Sequence, residues 1–162
     1  MESRDIKNMK LGEALSQLKK EKSRLARLIS LRKENIFVEK GKKIKFNPGK
    51  LSEQINNKID EIRKLKIKIQ KTNLNTKVSG ENINLAEAII KINDLRGKIG
   101  NLSKLFEKDT DHWFRSRDKE EKEIIAQLDE LEIENEIEKT EIEKVQLDNK
   151  IQITNWTTQL LD

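Results

Sequence analysis

The sequence predicts an all-α protein, an antiparallel helical bundle or coiled coil of about four helices with a long C-terminal helix. Charged residues make up 39% of the 162 residues and apolar residues only 34%, whereas a compact domain usually has about 45–50% apolar residues. One proline and six glycines are too few for the many turns of a β-sandwich. Apolar residues recur instead at steps of three and four, the spacing of a helix face. We therefore expect residues 1–162 to form a single helical domain.

The first predicted helix covers residues 5–34 and is followed by a β-prone segment. The helical spacing is carried by Leu11, Leu15, Leu18, Leu25, Leu28 and Ile29. Within residues 36–49, two short apolar runs flank a glycine-containing basic stretch, which predicts a small hairpin or an ordered loop. Asn47 and Pro48 are typical of a helix start, with asparagine as the cap and proline at the first helical position.

Three further helices are predicted, over residues 48–71, 83–108 and 119–160. A polar break at residues 72–82 separates the first two, and a second break at residues 109–118 precedes the last. The helix at 83–108 has regular steps of three and four from Ile92 onward, which is the pattern of a coiled coil. Gly97 and Gly100 lie inside it, and a close helix crossing is one explanation for them. A kink that admits a ligand is the other.

The last predicted helix carries the longest stripe at steps of three and four. Its apolar members are Ile124, Leu128, Leu131, Ile142, Val145, Trp156 and Leu160, and its polar members are Asn135, Glu138, Asn149 and Gln152. Polar groups at such positions often fix register or oligomer state; the alternative is that they line a polar cavity between helices. Residues 119–160 would span about 60 Å, too long for one neighbouring helix to cover, so we expect a homo-oligomer.

Charge is distributed unevenly along the chain, whose total is +5. Residues 1–71 carry a net charge of +12 and residues 118–150 a net charge of −8. A basic surface of this kind can bind nucleic acid or another polyanion. Alternatively, the acidic helix lies beside the basic helices, in the same chain or in a partner chain, because charges that flank an apolar seam commonly set helix pairing.

Three polar segments are candidates for binding an anionic small molecule. The candidate residues are Lys71, Thr72, Asn73, Asn75, Thr76, Arg96, His112, Trp113, Arg115, Arg117, Asn155, Trp156, Thr157 and Thr158. Residues 112–117 combine two aromatic side chains with two arginines: an indole can stack on a base, and arginines can pair with phosphate. The alternative is that the aromatics plug the end of the bundle. The tract at 71–76 can equally cap a helix. Residues 155–158 can dock another subunit or line a pocket together with Arg96 or Lys71.

No catalytic or metal-binding pattern is present. The chain has no cysteine and one histidine, so thiolate nucleophiles, histidine pairs and most catalytic triads are excluded. We therefore expect no enzyme activity, no metal and no cofactor. No apolar run approaches the ~20 residues of a membrane span, and the first residues lack the apolar stretch of a secretory signal. These features predict a cytoplasmic protein without a membrane span.

Four segments resemble the bacterial septicolysin family. They are Met9–Leu15, Lys71–Thr76, Leu85–Ile99 and Ile151–Leu160. The order of the segments is the same, and the Asn-Trp-Thr-Thr ending at residues 155–158 is the most specific of them. The resemblance covers most of residues 9–162. It implies an all-α fold, and the family's name implies a cytolysin.

We therefore predict a non-enzymatic, oligomeric helical protein that sequesters an anionic small molecule, such as a nucleotide, between its helices. The alternative is a structural or protein-interaction coiled coil without a small-molecule ligand. Nucleic-acid binding through residues 1–71 is a third possibility, and the cytolysin-like membrane activity that the resemblance implies is a fourth.

Overall fold

The computed structural model describes residues 9–42, 45–106 and 125–162. It contains four helices: α1 (Leu11–Glu34), α2 (Pro48–Asn75), α3 (Leu85–Leu102) and α4 (Glu130–Thr157). No β-strand occurs among the described residues, apart from isolated bridges, so the predicted all-α class is confirmed. The helices pack mainly as two antiparallel hairpins, α1 with α2 and α3 with α4.

The two hairpins share one hydrophobic core, to which all four helices contribute. The core consists of Leu11, Ala14, Ile69, Val78, Leu85, Ala88, Ile92, Leu147 and Ile151. These residues come from the start of α1, the end of α2, the first half of α3 and the end of α4, with Val78 from the segment between α2 and α3. We call this part of the molecule the joined end, defined as residues 9–14, 68–92 and 147–162. It is where the hairpins are held together.

Three of the four described helices begin at an Asn or Asp side-chain cap, whereas α1 begins after Lys10, whose backbone N–H donates to Glu13 Oε2. The side-chain Oδ1 of Asn47 accepts hydrogen bonds from the backbone of Gly49 at 2.8 Å and Lys50 at 3.2 Å, which confirms the predicted start of α2. Asn84 and Glu87 form a reciprocal capping box at the start of α3, with distances of 2.7 and 2.9 Å. Each cap satisfies backbone donors that have no partner inside the helix.

The predicted end of α2 at residue 71 is wrong, because the helix continues to Asn75. The polar tract was expected to break the helix, since threonine and asparagine side chains compete for backbone hydrogen bonds. In the structure they bond back to their own helix: the Thr72 hydroxyl donates to the Lys68 carbonyl at 2.8 Å, and Asn75 Nδ2 donates to the Lys71 carbonyl at 2.7 Å. The tract therefore extends the helix.

The other predicted boundaries also shift. Helix α1 begins at Leu11, and residues 5–8 lie outside the described part of the chain. Helix α3 ends at Leu102, where turns follow. Helix α4 begins at Glu130, because Asp129 Oδ1 accepts a hydrogen bond from Glu132 N at 3.1 Å and caps it.

The C-terminal helix is shorter than predicted, with 28 residues that span about 42 Å. It ends at Thr157 because the following residues extend and pair with the start of α1 through a bridge between Lys10 and Gln159. Residues 119–124 lie outside the described chain, whereas residues 125–129 are not helical.

The structure decides two local predictions, one for the segment at residues 36–49 and one for the glycines of α3. Residues 36–42 and 45–47 form turns, bends and irregular backbone without a strand, so the loop alternative is correct and the hairpin alternative is wrong there; residues 48 and 49 already belong to α2. Gly97 and Gly100 have no atom within 4 Å of an added Cβ among the described residues. The close helix crossing proposed for them is therefore not found in this part of the chain.

No described helix is both long enough and apolar enough to cross a membrane.

Candidate functional site

Two of the predicted binding segments come together at the joined end. Residues 71–76 form the last turn and C-cap of α2, and residues 155–158 form the last turn and C-cap of α4. The C-terminal residues link them, since Leu161 N donates to the Thr72 hydroxyl at 2.9 Å. Lys68 Nζ lies 2.6 Å from Asp162 Oδ1, and Lys71 Nζ donates to the Asp162 carbonyl at 3.2 Å.

Most polar groups of these two segments bond within the fold. The Thr76 carbonyl accepts from Leu85 N, and the Thr158 carbonyl accepts from Leu11 N, both at 2.9 Å. The Thr157 hydroxyl donates to the Ile153 carbonyl at 2.9 Å. Asn73 and Asn155 are buried, with 6% and 8% of their surface exposed. These contacts tie helix ends together, which supports the capping alternative for residues 71–76.

Trp156 lies against the start of α1. A Cβ added to Gly12 would lie 2.8 Å from Trp156 Cδ2, so the indole occupies the space that a side chain at position 12 would need. Even so, 54% of the Trp156 surface remains exposed. The contact fixes one side of the indole and leaves the rest of it open.

Of the remaining predicted binding residues, Arg96 lies in the described part of the chain and is not at the joined end. Arg96 is exposed on α3, about 16 Å along the helix from Leu85, and its Nη1 donates to Asn93 Oδ1 at 3.2 Å. His112, Trp113, Arg115 and Arg117 lie outside the described residues.

A heptad stripe of exposed residues runs along α4, and we call it the outer seam. It consists of Leu131, Asn135, Glu138, Ile142, Val145, Asn149, Gln152 and Trp156, at alternating steps of four and three residues. All eight residues are exposed. The four apolar members have between 51% and 66% of their surface open. The sequence pattern predicted this stripe, and its members remain exposed in the folded chain, although Trp156 at one end also contacts Gly12 of α1.

The buried face of α4 is a different stripe: Thr140, Leu147, Ile151, Thr154 and Asn155. Thr140 and Thr154 donate their hydroxyls to the Glu136 and Lys150 carbonyls, at 2.7 and 2.8 Å. The Thr154 hydroxyl also accepts from Ser79 N at 3.1 Å. Threonines can be buried in this way because their own helix satisfies the hydroxyl. Helix α4 therefore has two faces suited to packing, and the chain covers one of them.

The α1–α2 hairpin contains a buried carboxylate with two basic partners. Glu21 is 8% exposed; its Oε1 lies 2.7 Å from Arg24 Nη1, and its Oε2 lies 2.9 Å from Lys58 Nζ. Burial acts to raise the pKa of Glu21, but the two cations outweigh it and hold the pKa below its usual value. Lys58 also pairs with Glu61, and these carboxylates raise the pKa of Lys58. The cluster stabilises the hairpin.

A shallow groove of about 580 Å³ runs between α1 and α2, and we call it the basic groove. Its lining combines lysines with apolar side chains: Leu18, Lys22, Lys66, Ile67, Ile69, Gln70, Lys71 and Leu74. Lys71 is the one predicted binding residue that lines it. Lysine ammonium groups over an apolar floor suit an anion that also has an apolar part.

The acidic helix does not neutralise the basic hairpin within the described chain. Helix α4 instead forms ion pairs with α3, between Lys91 and Glu143 and between Lys98 and Glu136, both at 2.7 Å. Both pairs are about half exposed. The carboxylate of Glu143 raises the pKa of Lys91. The charge excess of each hairpin is therefore presented to solvent or to a partner.

Sequence analysis missed Gly12, Glu21, Lys22 and Lys66. Glu21 could have been found from the sequence, because it is an acid among the lysines and arginines of α1 and lies three residues before Arg24. Gly12 carried no comparable signal, since its partner Trp156 is more than 140 residues away. No group of three or more histidine, cysteine or acidic side chains is arranged to hold a metal among the residues that the structure describes.

The fold and its surfaces define a small all-α bundle of two hairpins with an exposed coiled-coil face. The chain belongs to a family of unknown function, DUF6847, whose model matches residues 18–160. It is similar to the crystal structure of a functionally unknown conserved protein from Corynebacterium diphtheriae, with 28% identity and a TM-score of 0.81. That match covers 95% of this chain and 99% of the other. No curated protein matches the chain.

The resemblance to the septicolysin family is therefore wrong. The family that matches is DUF6847, and no match carries a septicolysin or cytolysin name. The short segments that suggested it lie largely in helices and helix caps, where capping and packing requirements produce similar residues in unrelated chains. The membrane-lysing activity rested on that resemblance alone and falls with it.

Proposed function

We propose that this protein is a non-enzymatic helical interaction protein, and that the outer seam of α4 is its docking surface for another helix. The observation that carries the proposal is that all eight seam residues are exposed although they follow the heptad spacing of a helix interface. Four of them are large apolar side chains at least half exposed. Apolar side chains at heptad positions of one helix face are typical of an interface with another helix, and polar residues at such positions often fix its register.

The position of Trp156 supports the same proposal. Aromatic residues are enriched at the energetic centres of interfaces, and the contact with Gly12 already orders this indole before any partner binds. Ordering a side chain in advance lowers the entropy that binding must overcome. The seam therefore combines exposed apolar area with at least one pre-ordered anchor.

Photo-cross-linking in cells tests the proposal without assuming a partner. A photoreactive phenylalanine analogue is placed at position 145 in the seam, or at position 57 as the matched control. Asn57 is an exposed polar residue on α2. We expect covalent adducts from position 145 and none from position 57. Adducts from neither position, with the chain folded, would overturn the proposal.

A second candidate function is binding of an anionic small molecule, as predicted from the sequence, in the basic groove. It is favoured by Lys22, Lys66 and Lys71 around one groove. Isothermal titration calorimetry against a panel of nucleotides tests it, with a Lys22→Gln, Lys66→Gln double variant as the comparison. Heat that disappears in the double variant would support this function. Absence of heat with every nucleotide in the panel would remove it.

A further inference from the structure

We propose that the partner of the outer seam is a second copy of this chain, paired antiparallel so that a two-fold axis passes between Glu143 and Lys144. This inference rests on the proposed function and names the occupant of the same surface. Three features of the seam support it: the symmetry of its spacing, the symmetry of its polarity and the distribution of its charge.

The spacing of the seam is the same in both directions. Its steps are 4, 3, 4, 3, 4, 3 and 4 residues, so a reversed copy of α4 has its seam residues at matching heights. A two-fold interface requires this, because each surface must be complementary to itself. From Leu131 to Trp156 the seam is about 38 Å long, and it presents eight residues in each copy.

The polarity of the seam is also symmetric about its centre. Reversal places Leu131 opposite the partner's Trp156, and Ile142 opposite the partner's Val145. It places Asn135 opposite the partner's Gln152, and Glu138 opposite the partner's Asn149. Apolar side chains therefore meet apolar ones. Each amide or carboxylate meets a side chain with which it can form a hydrogen bond, which meets the requirement that polar groups covered by an interface be paired.

Charge decides between the antiparallel and the parallel arrangement. Residues 129–143 contain eight acids and one lysine, whereas residues 144–157 contain two lysines and one acid. Glu136 and Glu143 are already paired with α3, so six acids remain. A parallel pair would bring these acidic halves together and place Glu138 against its own copy. The antiparallel pair instead sets each acidic half against the nearly neutral half, and it also aligns the helix dipoles favourably.

Cysteine cross-linking tests the arrangement directly, because the chain has no native cysteine. Two single variants, Asn135→Cys and Gln152→Cys, are treated alone and as a mixture with a short bis-maleimide reagent. In the antiparallel pair the two different thiols are adjacent, whereas two thiols at position 135 are about 25 Å apart. We expect roughly ten-fold or more cross-linked dimer in the mixture than in either variant alone, because adjacent thiols react at high effective concentration.

Two controls distinguish specific cross-linking from random collision and from loss of folding. Asn57→Cys mixed with Asn135→Cys reports random collision, and circular dichroism checks that each variant keeps its helices. Efficient cross-linking of Asn135→Cys alone would mean a parallel pair and would overturn the inference. A monomer in sedimentation equilibrium at every concentration would also overturn it, whereas adducts from position 145 in cells would still support the docking function with another protein.

A charge variant provides a second, independent readout of orientation. Glu138→Gln keeps a hydrogen-bonding side chain opposite Asn149 of the partner subunit, so the antiparallel pair should change its dimer dissociation constant by no more than about two- to three-fold. In a parallel pair the same change removes a direct repulsion between two glutamates. Tightening by roughly ten-fold or more would therefore contradict the antiparallel arrangement.

Discussion

The two hairpins have similar architecture but arrange charge and apolar surface differently. The α1–α2 hairpin is basic and buries a carboxylate, Glu21, between two cations. The α3–α4 hairpin places its ion pairs near the surface, and its long helix has a packed face and an exposed heptad face. One helix face is enough to build the bundle. The second face of α4 stays exposed in the described chain, and we propose that it serves association.

The sharpest test of this comparison uses two neighbouring residues of α4. Leu147 is 5% exposed in the core, whereas Val145 is 52% exposed in the outer seam. Leu147→Ala should lower the free energy of unfolding by about 2–4 kcal/mol, because it leaves a cavity. Val145→Ala should change it by no more than about 0.5 kcal/mol. Urea denaturation at low protein concentration, followed by circular dichroism, measures both, and equal losses would contradict the two-face description.

The contact between Gly12 and Trp156 can be broken with a single methyl group. Gly12→Ala places a Cβ within 2.8 Å of the indole, so the ring must shift, and we expect a loss of about 1–3 kcal/mol in stability. Gly97→Ala is the matched control, because nothing lies within 4 Å of its added Cβ. It should stabilise the helix by roughly 0.5–1 kcal/mol. Thermal unfolding gives both values, and a stabilising Gly12→Ala would show that the contact is unimportant.

The buried ion cluster predicts a pH dependence for the basic hairpin. The pKa of Glu21 is lowered in the folded chain, so its contribution to stability is present above the unfolded pKa and is lost as pH falls through the folded pKa. Glu21→Gln should therefore cost about 1–2 kcal/mol near pH 7. The difference from the parent chain should shrink below pH ~4.

Chemical denaturation of both proteins across pH measures this effect. Glu53→Gln, at an exposed position on the neighbouring helix, should show no such trend. A constant difference for Glu21→Gln from pH 7 to pH 3 would mean that packing, not charge, explains the loss.

The smallest expected effect concerns the flank of the outer seam. In the antiparallel pair Glu141 lies beside Asp148 of the partner subunit, which is the main like-charge contact of the arrangement. Asp148→Lys replaces this repulsion with an attraction and should tighten the dimer about two- to five-fold at low salt. Sedimentation equilibrium at two salt concentrations measures the change. Weakening of the dimer would argue against this register.

Much of the fold could be predicted because helix signals are local. The Asn47–Pro48 start of α2 and the apolar faces around Ile55, Ile62 and Ile69 follow from capping and spacing rules alone. The end of α2 could not be read in the same way. Thr72 and Asn75 are poor helix residues in isolation, and only their bonds to the preceding turn and to Leu161 make the extra turn stable.

The candidate surfaces were predictable only in part, because they too depend on contacts between distant parts of the chain. The heptad pattern of α4 is visible in the sequence, but a pattern does not say which partner it faces. The chain buries Thr140, Leu147, Ile151, Thr154 and Asn155 instead, and three of these five are polar residues that a search for apolar positions passes over. Lys71 was found from its polar neighbours, whereas Lys22 and Lys66 join it only because α1 and α2 pack side by side.

The backbone hydrogen bonds that join residues 9–11 to residues 158–160 have a consequence for synthesis on the ribosome. The first amide of α1 is capped by the Thr158 carbonyl at 2.9 Å, and Leu160 N donates to the Met9 carbonyl at the same distance. A nascent chain can form the α1–α2 hairpin early, since amino-terminal parts fold first during translation. The Leu11 amide, the Met9 carbonyl and Gly12 nevertheless have none of these contacts until residues 156–161 emerge from the exit tunnel. Completion of the fold thus waits for residues 156–161, and a chain truncated before residue 156 would leave the Leu11 amide without the Thr158 carbonyl that it donates to.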